Sequence, residues 1–262
     1  MKLYSFPNLG NTCYCNSVLQ CLINDPCFKD SLNDSELAGY IKKINISFTK
    51  NDQLINHKYN IKEIIDYINP NFKRFQQHDS HEFLLYLIET LNLKQFTGTF
   101  KMNIKCQKCQ KVKSRFEDYT TIHLNNDLHT PNVVDSFMEY LKQEDIHEYH
   151  CETCKEYTHA VQKTYLNILP QRLVLILKRY NCKESTIEYP FENMKIRETK
   201  SGKIFVYNLY SVIYHHGDQN FGHYNCDVKI DKEWFFIDDE TIYLNNSIKN
   251  NSSCYILFYK CC

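Results

Sequence analysis

The sequence predicts an α+β fold with helices first and strands dominating the remainder. Three observations carry the prediction. Apolar residues recur at helical spacing at Val18, Leu19, Leu22 and Ile23, at Ile61, Ile64, Ile65 and Ile68, and at Leu84, Leu85, Leu87, Ile88 and Leu91. From Leu173 onward, short runs rich in β-branched and aromatic residues take over, the pattern of strands. Between these parts lie Cys106-x-x-Cys109 and Cys151-x-x-Cys154, the form of a metal-tied segment.

Each element has its own signal. Gly10-Asn11-Thr12 is a turn, so Asn11 or Thr12 is the expected N-cap of a helix over 13–24 with Cys13 in its first turn. The stretch 33–60 has weak periodicity and receives no assignment. The helix through Ile61–Ile68 stops at Asn69-Pro70. Asp79-Ser80-His81-Glu82 reads as a capping box opening the next helix. The chain then turns β-like, with one helical interlude (Val133, Val134, Phe137, Met138, Leu141) after Thr130-Pro131. Ile204 to Tyr214 is a long alternating strand. Tyr224, Cys226, Val228 and Ile230 share one face of another, and Trp234-Phe235-Phe236-Ile237 forms a shorter one ending in Asp238-Asp239.

Composition bounds the function. At 262 residues the chain makes one large domain with ample core. Lys plus Arg equals Asp plus Glu, 31 each, which gives no global basic field for nucleic acid or membrane. No apolar run approaches the roughly 18 residues of a membrane span. The residues before Cys13 lack a signal-peptide pattern. With 13 cysteines, an odd count, this argues for a reducing, intracellular compartment, cytoplasmic or nuclear, over a secreted disulfide framework.

Cys13 is a candidate nucleophile. At a helix N-terminus the macrodipole and unpaired N–H groups favour thiolate, the reactive form. Standing alone it would read as a buried structural cysteine. Gly222-His223-Tyr224 puts a histidine at the head of a strand, and an adjacent antiparallel strand can set Asp238 beside it. A thiolate needs such a base, and the base an orienting group. Ten other histidines weaken any single choice on chemistry alone.

The two Cys-x-x-Cys pairs have the spacing of a tetrahedral structural zinc site, each in a polar turn. Four buried free cysteines are the alternative. His147 and His150 lie beside the second pair, but four cysteines give both halves the same geometry. Cys15, Cys21, Cys27, Cys182, Cys226, Cys254, Cys261 and Cys262 read as structural or incidental.

Five segments, in order and spanning nearly the whole chain, resemble the ubiquitin-specific protease family. Asn8 to Gln20 resembles its cysteine box, and Gly222-His223-Tyr224 through Asp238-Asp239 its histidine box. Gln76-Gln77-His78-Asp79-Ser80-His81-Glu82-Phe83-Leu84 resembles its glutamine-rich helix opening. Leu173 through Lys178-Arg179-Tyr180 resembles its central motif, and Cys254 to Tyr259 its closing strand. The chain resembles a compact form of that catalytic domain.

The resemblance implies a papain-like cysteine peptidase fold shaped as a hand: a helical thumb (1–95), zinc-tipped β fingers (96–170) and an antiparallel β palm (171–262). It implies a thiol-dependent deubiquitinase that cuts the (iso)peptide bond after ubiquitin's C-terminal diglycine. Cys13, His223 and Asp238 would form the triad, with Asp239 a neighbouring candidate. Asn8 would supply the oxyanion donor, although from the residues alone it reads as a turn residue. Asp79 and Glu82 match acidic contacts to the ubiquitin tail, alongside a capping role. Gln77, from the same box, would be a further substrate-binding residue, and Tyr224 would line the channel. The loop His215-His216-Gly217-Asp218-Gln219-Asn220-Phe221-Gly222 resembles a mobile blocking loop. The implied cofactor is structural zinc on Cys106, Cys109, Cys151 and Cys154. The implied partner is ubiquitin or ubiquitinated protein, met by a monomer. The rivals are a peptidase for another diglycine modifier, a non-catalytic ubiquitin-binding module, and a zinc-ribbon nucleic-acid binder, which the neutral charge and the two catalytic boxes oppose.

Overall fold

The computed structural model describes residues 4–46, 55–56, 58–125, 132–178, 186–218 and 221–262. Thr130, Pro131, Arg179, Tyr180, Cys182, Gln219 and Asn220, used above, lie outside these. The helices are α1 (Cys13–Ile23), α2 (Pro26–Asp30), α3 (Glu36–Ile46), α4 (Lys58–Ile68), α5 (Ser80–Thr90) and α6 (Val133–Tyr140). The strands are β1 (Tyr4–Ser5), β2 (Ile55–Asn56), β3 (Gly98–Cys106), β4 (Val112–Tyr119), β5 (Ile122–Asn125), β6 (Glu144–Cys151), β7 (Glu156–Ile168), β8 (Arg172–Lys178), β9 (Met194–Arg197), β10 (Ile204–Gly217), β11 (Gly222–Ile230), β12 (Glu233–Asp238), β13 (Thr241–Leu244) and β14 (Cys254–Cys261).

Among the described residues, β13-β12-β11-β10-β14-β8-β5 form the long sheet, with β9 pairing β10, and β4-β3-β7-β6 form a second one. At β8 the long sheet is buried on both faces, which is why that strand reads as an unbroken apolar run, whereas the β13 edge is exposed. Its alternate residues serve two cores. Val174 and Ile176 join Ile256, Phe258, Cys226 and Val228 against α1, α3, α4 and α5. Leu173, Leu175 and Leu177 join Leu257, Tyr259, Val133 and Phe137 on the other side. Each fully buried Leu or Ile contributes about 1.5–3 kcal/mol.

Three expectations change here. The palm is not wholly antiparallel, because β5 pairs β8 in parallel, Ile122 opposite Leu175. The block 96–170 therefore also builds part of the palm sheet. The unassigned stretch contains α3, whose Leu37, Ala38, Ile41 and Ile44 are all buried. Finally, α1 is buried all round, not along one stripe. It lies between the other thumb helices and β11, the strand that carries His223.

A buried ion pair ties thumb to palm. Arg172 Nε and Nη2 donate to Asp25 Oδ2 and Oδ1 at 2.6 and 2.7 Å. Removing either partner strands the other charge at a cost of about 3–5 kcal/mol.

Candidate active site

Cys13 is the first residue of α1 and only 6% exposed. Thr12 occupies the N-cap position, yet its side chain makes no cap bond. Thr12 Oγ1 instead accepts the Leu9 N–H at 3.0 Å and closes the preceding loop. The first N–H groups of a helix have no intrahelical partner, so that of Cys13 is available to a ligand.

The β11–β12 ladder brings the histidine to its acid. Cys226 pairs with Ile237, and at the head of the hairpin His223 Nε2 meets Asp238 Oδ1 at 2.5 Å. The hydrogen bond with the Cys13 thiol, then the Asp238 carboxylate, push the imidazole up to about 9 against partial burial. With Nε2 on the acid, Nδ1 is the nitrogen left for sulfur.

Asp239 does something different. It stands in the two-residue turn between β12 and β13 with φ 49°, a left-handed conformation Asp tolerates. That turn aims its carboxylate at the cysteine loop, while an oxygen stays within 4.8 Å of a His223 ring nitrogen, as does one of Asp238. Oδ2 accepts from Asn8 Nδ2 at 2.9 Å, and Oδ1 from Asn16 Nδ2 at 2.7 Å. Burial raises its pKa, opposed by the two amide donors. At its other end, Asn8 Oδ1 accepts the N–H groups of Gly10 and Thr12, each at 3.1 Å. The amide orientation is thereby fixed, with one Nδ2 hydrogen on Asp239 and the other free. Sequence reasoning missed Asn16. Its signal was a polar residue three positions after Cys13, hence on the same face of a helix.

A cleft of about 970 Å³ runs between the start of α5 and the β10–β11 turn, and Gln77, Asp79, Glu82 and Tyr224 all line it. Asp79 caps α5, accepting from the N–H groups of His81 and Glu82 at 2.6 and 3.3 Å. It also receives the Tyr255 hydroxyl at 2.8 Å, a contact the sequence did not signal. Glu82 stays exposed, the freer acid of the two. Gln77 Oε1 accepts the Gly222 N–H at 2.9 Å.

The glycines flanking the expected blocking loop have steric work here. Gly217 pairs with Gly222 as the last rung of the β10–β11 ladder. A Cβ on Gly222 would lie 2.1 Å from His215 Nε2. The turn is closed by Asp218 N–H to Phe221 O at 2.8 Å and Phe221 N–H to Asp218 Oδ1 at 2.9 Å.

At the far end of β3 and β6, the sulfurs of Cys106, Cys109, Cys151 and Cys154 lie within 4.8 Å of one another, a group able to hold a metal ion. Cys106 to Cys154 is 4.0 Å and Cys109 to Cys151 is 3.7 Å. Zinc–sulfur bonds of about 2.3 Å in a tetrahedron demand sulfurs about 3.8 Å apart, so the donor set fits zinc. The Cys109 backbone N–H and the Thr158 hydroxyl draw the Cys106 thiol down to about 6. His147 and His150 pack instead on His159 and Tyr157.

Residues 5–259 match the sequence profile described as ubiquitin carboxyl-terminal hydrolase, and the chain belongs to that family. It is similar to ubiquitin carboxyl-terminal hydrolase 17-like protein E of Mus musculus, 26% identical over 96% of this chain and 54% of the relative. It is also similar to probable ubiquitin carboxyl-terminal hydrolase 8 of Schizosaccharomyces pombe, 24% identical over 98% of this chain and 64% of the relative. The chain thus spans about half the length of the mouse relative and under two thirds of the other. The fold is that of a chain in the SAGA Ubp8/Sgf11/Sus1/Sgf73 DUB module bound to ubiquitin aldehyde. The TM-score is 0.82 at 24% identity, covering 99% of this chain and 70% of the other. A second structure of that module, bound to monoubiquitin, gives 0.85 at 22% identity, with 99% and 69% covered.

Proposed function

We propose that the chain is a thiol-dependent deubiquitinase acting through Cys13, His223 and Asp238. The observation that carries this is one histidine held by an acid on Nε2 and by a helix-N-terminal cysteine on its other side.

Each step follows from that geometry. His223 takes the Cys13 proton, and the sulfur attacks the carbonyl carbon of the terminal glycine. The carbonyl π electrons move to oxygen, which receives the free Asn8 Nδ2 hydrogen and the Cys13 backbone N–H. His223 then protonates the departing lysine amine as the C–N bond breaks. Water, deprotonated by His223, hydrolyses the thioester. Asp238 keeps the proton-carrying Nδ1 aimed at the sulfur throughout. Asp239 hydrogen-bonds Asn8 and Asn16 and adds its nearby charge to the His223 site, whereas Asp238 holds the imidazole directly, so the two neighbouring acids have different main tasks.

The tail of ubiquitin, with arginines before its diglycine, suits the cleft edged by Glu82 and Asp79, and Tyr224 lines its path. The fingertip cysteines hold structural zinc. Four thiolates leave no open position, so metal there supports the fold of the tip without entering the chemistry. The twelve cysteines within the described residues form no disulfide, in keeping with a reducing intracellular compartment. No described helix is long and apolar enough to cross a membrane. The protein acts as a monomer on ubiquitin or its conjugates, without nucleic acid. The single-domain division into thumb, fingers and palm belongs to the same reading.

The test is release of a fluorogenic group from the C-terminus of ubiquitin, run beside other diglycine modifiers. Turnover of ubiquitin, lost in Cys13→Ala and His223→Ala, supports the proposal. Turnover of a different modifier only would transfer the mechanism to that modifier.

A further inference from the structure

The short segment from Phe75 to Asp79, between α4 and α5, makes contacts that tail recognition does not explain. Phe75 has φ 65° and is 67% exposed. A left-handed backbone is a true outlier for a bulky residue and costs about 1–3 kcal/mol, so its surroundings must hold it there. They do so through the cysteine loop. Phe75 O accepts from Asn11 Nδ2 at 2.9 Å. Its ring lies against Gly10, where an added Cβ would sit 2.5 Å from ring carbon Cδ1.

Two residues later the chain reaches the histidine strand. Gln77 Oε1 accepts the Gly222 N–H at 2.9 Å, immediately before His223. A backbone N–H only donates, so the Gln77 oxygen must face it. Next, the His78 ring edges onto Tyr14, the neighbour of Cys13, with centroids 5.3 Å apart. Asp79 then opens α5 and receives the Tyr255 hydroxyl. Within five residues, Phe75, Gln77, His78 and Asp79 thus touch the cysteine loop, the histidine strand, the nucleophile helix and the closing strand.

We infer that Gln77 is a positioning residue for His223, and that Phe75–Gln77 is a strap fixing the cysteine loop relative to the histidine strand. The inference rests on the triad reading but not on which modifier is cut. Cys13 and His223 sit on separate elements, α1 and β11, which pack on each other, and the strap adds a second tie at the end where the two side chains meet. A 1 Å misplacement of reacting groups costs about a hundredfold in rate. The strap runs straight into Asp79 and Glu82 at the cleft. A tail docking there loads the same segment, converting remote binding into alignment of the reacting pair.

The test separates positioning from contact with the tail. Gln77→Ala removes the acceptor; Gln77→Glu keeps an acceptor oxygen and replaces the amide donors by a carboxylate charge. We expect Gln77→Ala to lower kcat by about tenfold to a hundredfold, with KM little changed, and Gln77→Glu to recover most of kcat. Alkylation of Cys13 by iodoacetamide, without any substrate, is followed across pH in parallel. The strap predicts that Gln77→Ala slows alkylation of Cys13 and that Gln77→Glu restores it. A raised KM at unchanged kcat, or Gln77→Glu no better than Gln77→Ala, would make Gln77 a tail contact and overturn the inference. Unchanged alkylation in Gln77→Ala overturns it equally. Failure of the wild-type protein to process ubiquitin would strike the functional reading alone, because the alkylation profile still reports on the strap.

Discussion

Replacing Asp239 by alanine separates the two neighbouring acids. The carboxylate accepts from Asn8 at 2.9 Å and from Asn16 at 2.7 Å, so the substitution removes the acceptor of Asn8 Nδ2 and the shortest bond of Asn16, which keeps the Phe6 and Pro7 carbonyls at 3.3 Å. Hydrogen bonds to a charged group are worth about 1.5–3 kcal/mol each, which sets the expected loss of stability. The effect on rate comes through Asn8. Losing an oxyanion donor outright costs about a hundredfold to a thousandfold in kcat. Asn8 keeps its carbonyl bonds to Gly10 and Thr12, so Asp239→Ala should approach that range from below. Asp239→Asn should rescue little, since one amide cannot accept from two amide donors on its two ends. The assay is kcat on ubiquitin carrying a fluorogenic leaving group, measured for Asp239→Ala, Asn8→Ala and the double variant. If Asp239 works through Asn8, the double variant is no slower than Asn8→Ala. Cys13 alkylation by iodoacetamide, which forms no oxyanion, should be altered less in Asp239→Ala than in Asp238→Ala, and less than hydrolysis is. Multiplying defects in the double variant, or alkylation impaired as much as hydrolysis, would refute the assignment of Asp239 to Asn8.

Further predictions concern pH and metal. His223 is raised from 6.5 to about 9 by Cys13 and Asp238. The fold therefore favours its protonated form, a contribution fully present below about 6.5 and lost as pH rises through about 9. The kcat/KM profile should fall on the alkaline side near 9, and Asp238→Asn should move that limb downward; an unmoved limb would detach Asp238 from the histidine. Metal analysis should find one zinc per chain. Its removal by a strong chelator should weaken ubiquitin binding more than it slows attack on a small tail-like substrate, because only a large substrate reaches the fingertip. Equal losses on both would mean that the metal supports the whole fold.

The sequence disclosed what is local and periodic. Cys13 at a helix start, His223 heading a strand and Asp238 ending the next all follow from short-range pattern, and β11–β12 pairing then brings the acid to the base. The Cys-x-x-Cys pairs were legible for the same reason, since each half is a self-contained turn. What stayed hidden depends on contacts between distant segments. The partners of Asp239 are set by a left-handed turn residue that points its carboxylate at Asn8 and Asn16. The parallel pairing of Ile122 with Leu175 joins strands that no local signal relates. The resemblance implied a substrate contact for Gln77; the bond from the Gly222 N–H to its acceptor oxygen was not legible, since it joins distant segments. The helix α3 was obscured by Gly39 and the tyrosine and lysines between its buried Leu37, Ala38, Ile41 and Ile44.

The central claim is that Cys13 is a nucleophile serving ubiquitin. It is tested most directly by incubating the protein with ubiquitin bearing a C-terminal electrophile and mapping the adduct by mass spectrometry. The account predicts one ubiquitin per chain, attached at Cys13, with no adduct in Cys13→Ala and an undiminished one in Cys15→Ala. Attachment at another cysteine, or none to a folded protein, would contradict it.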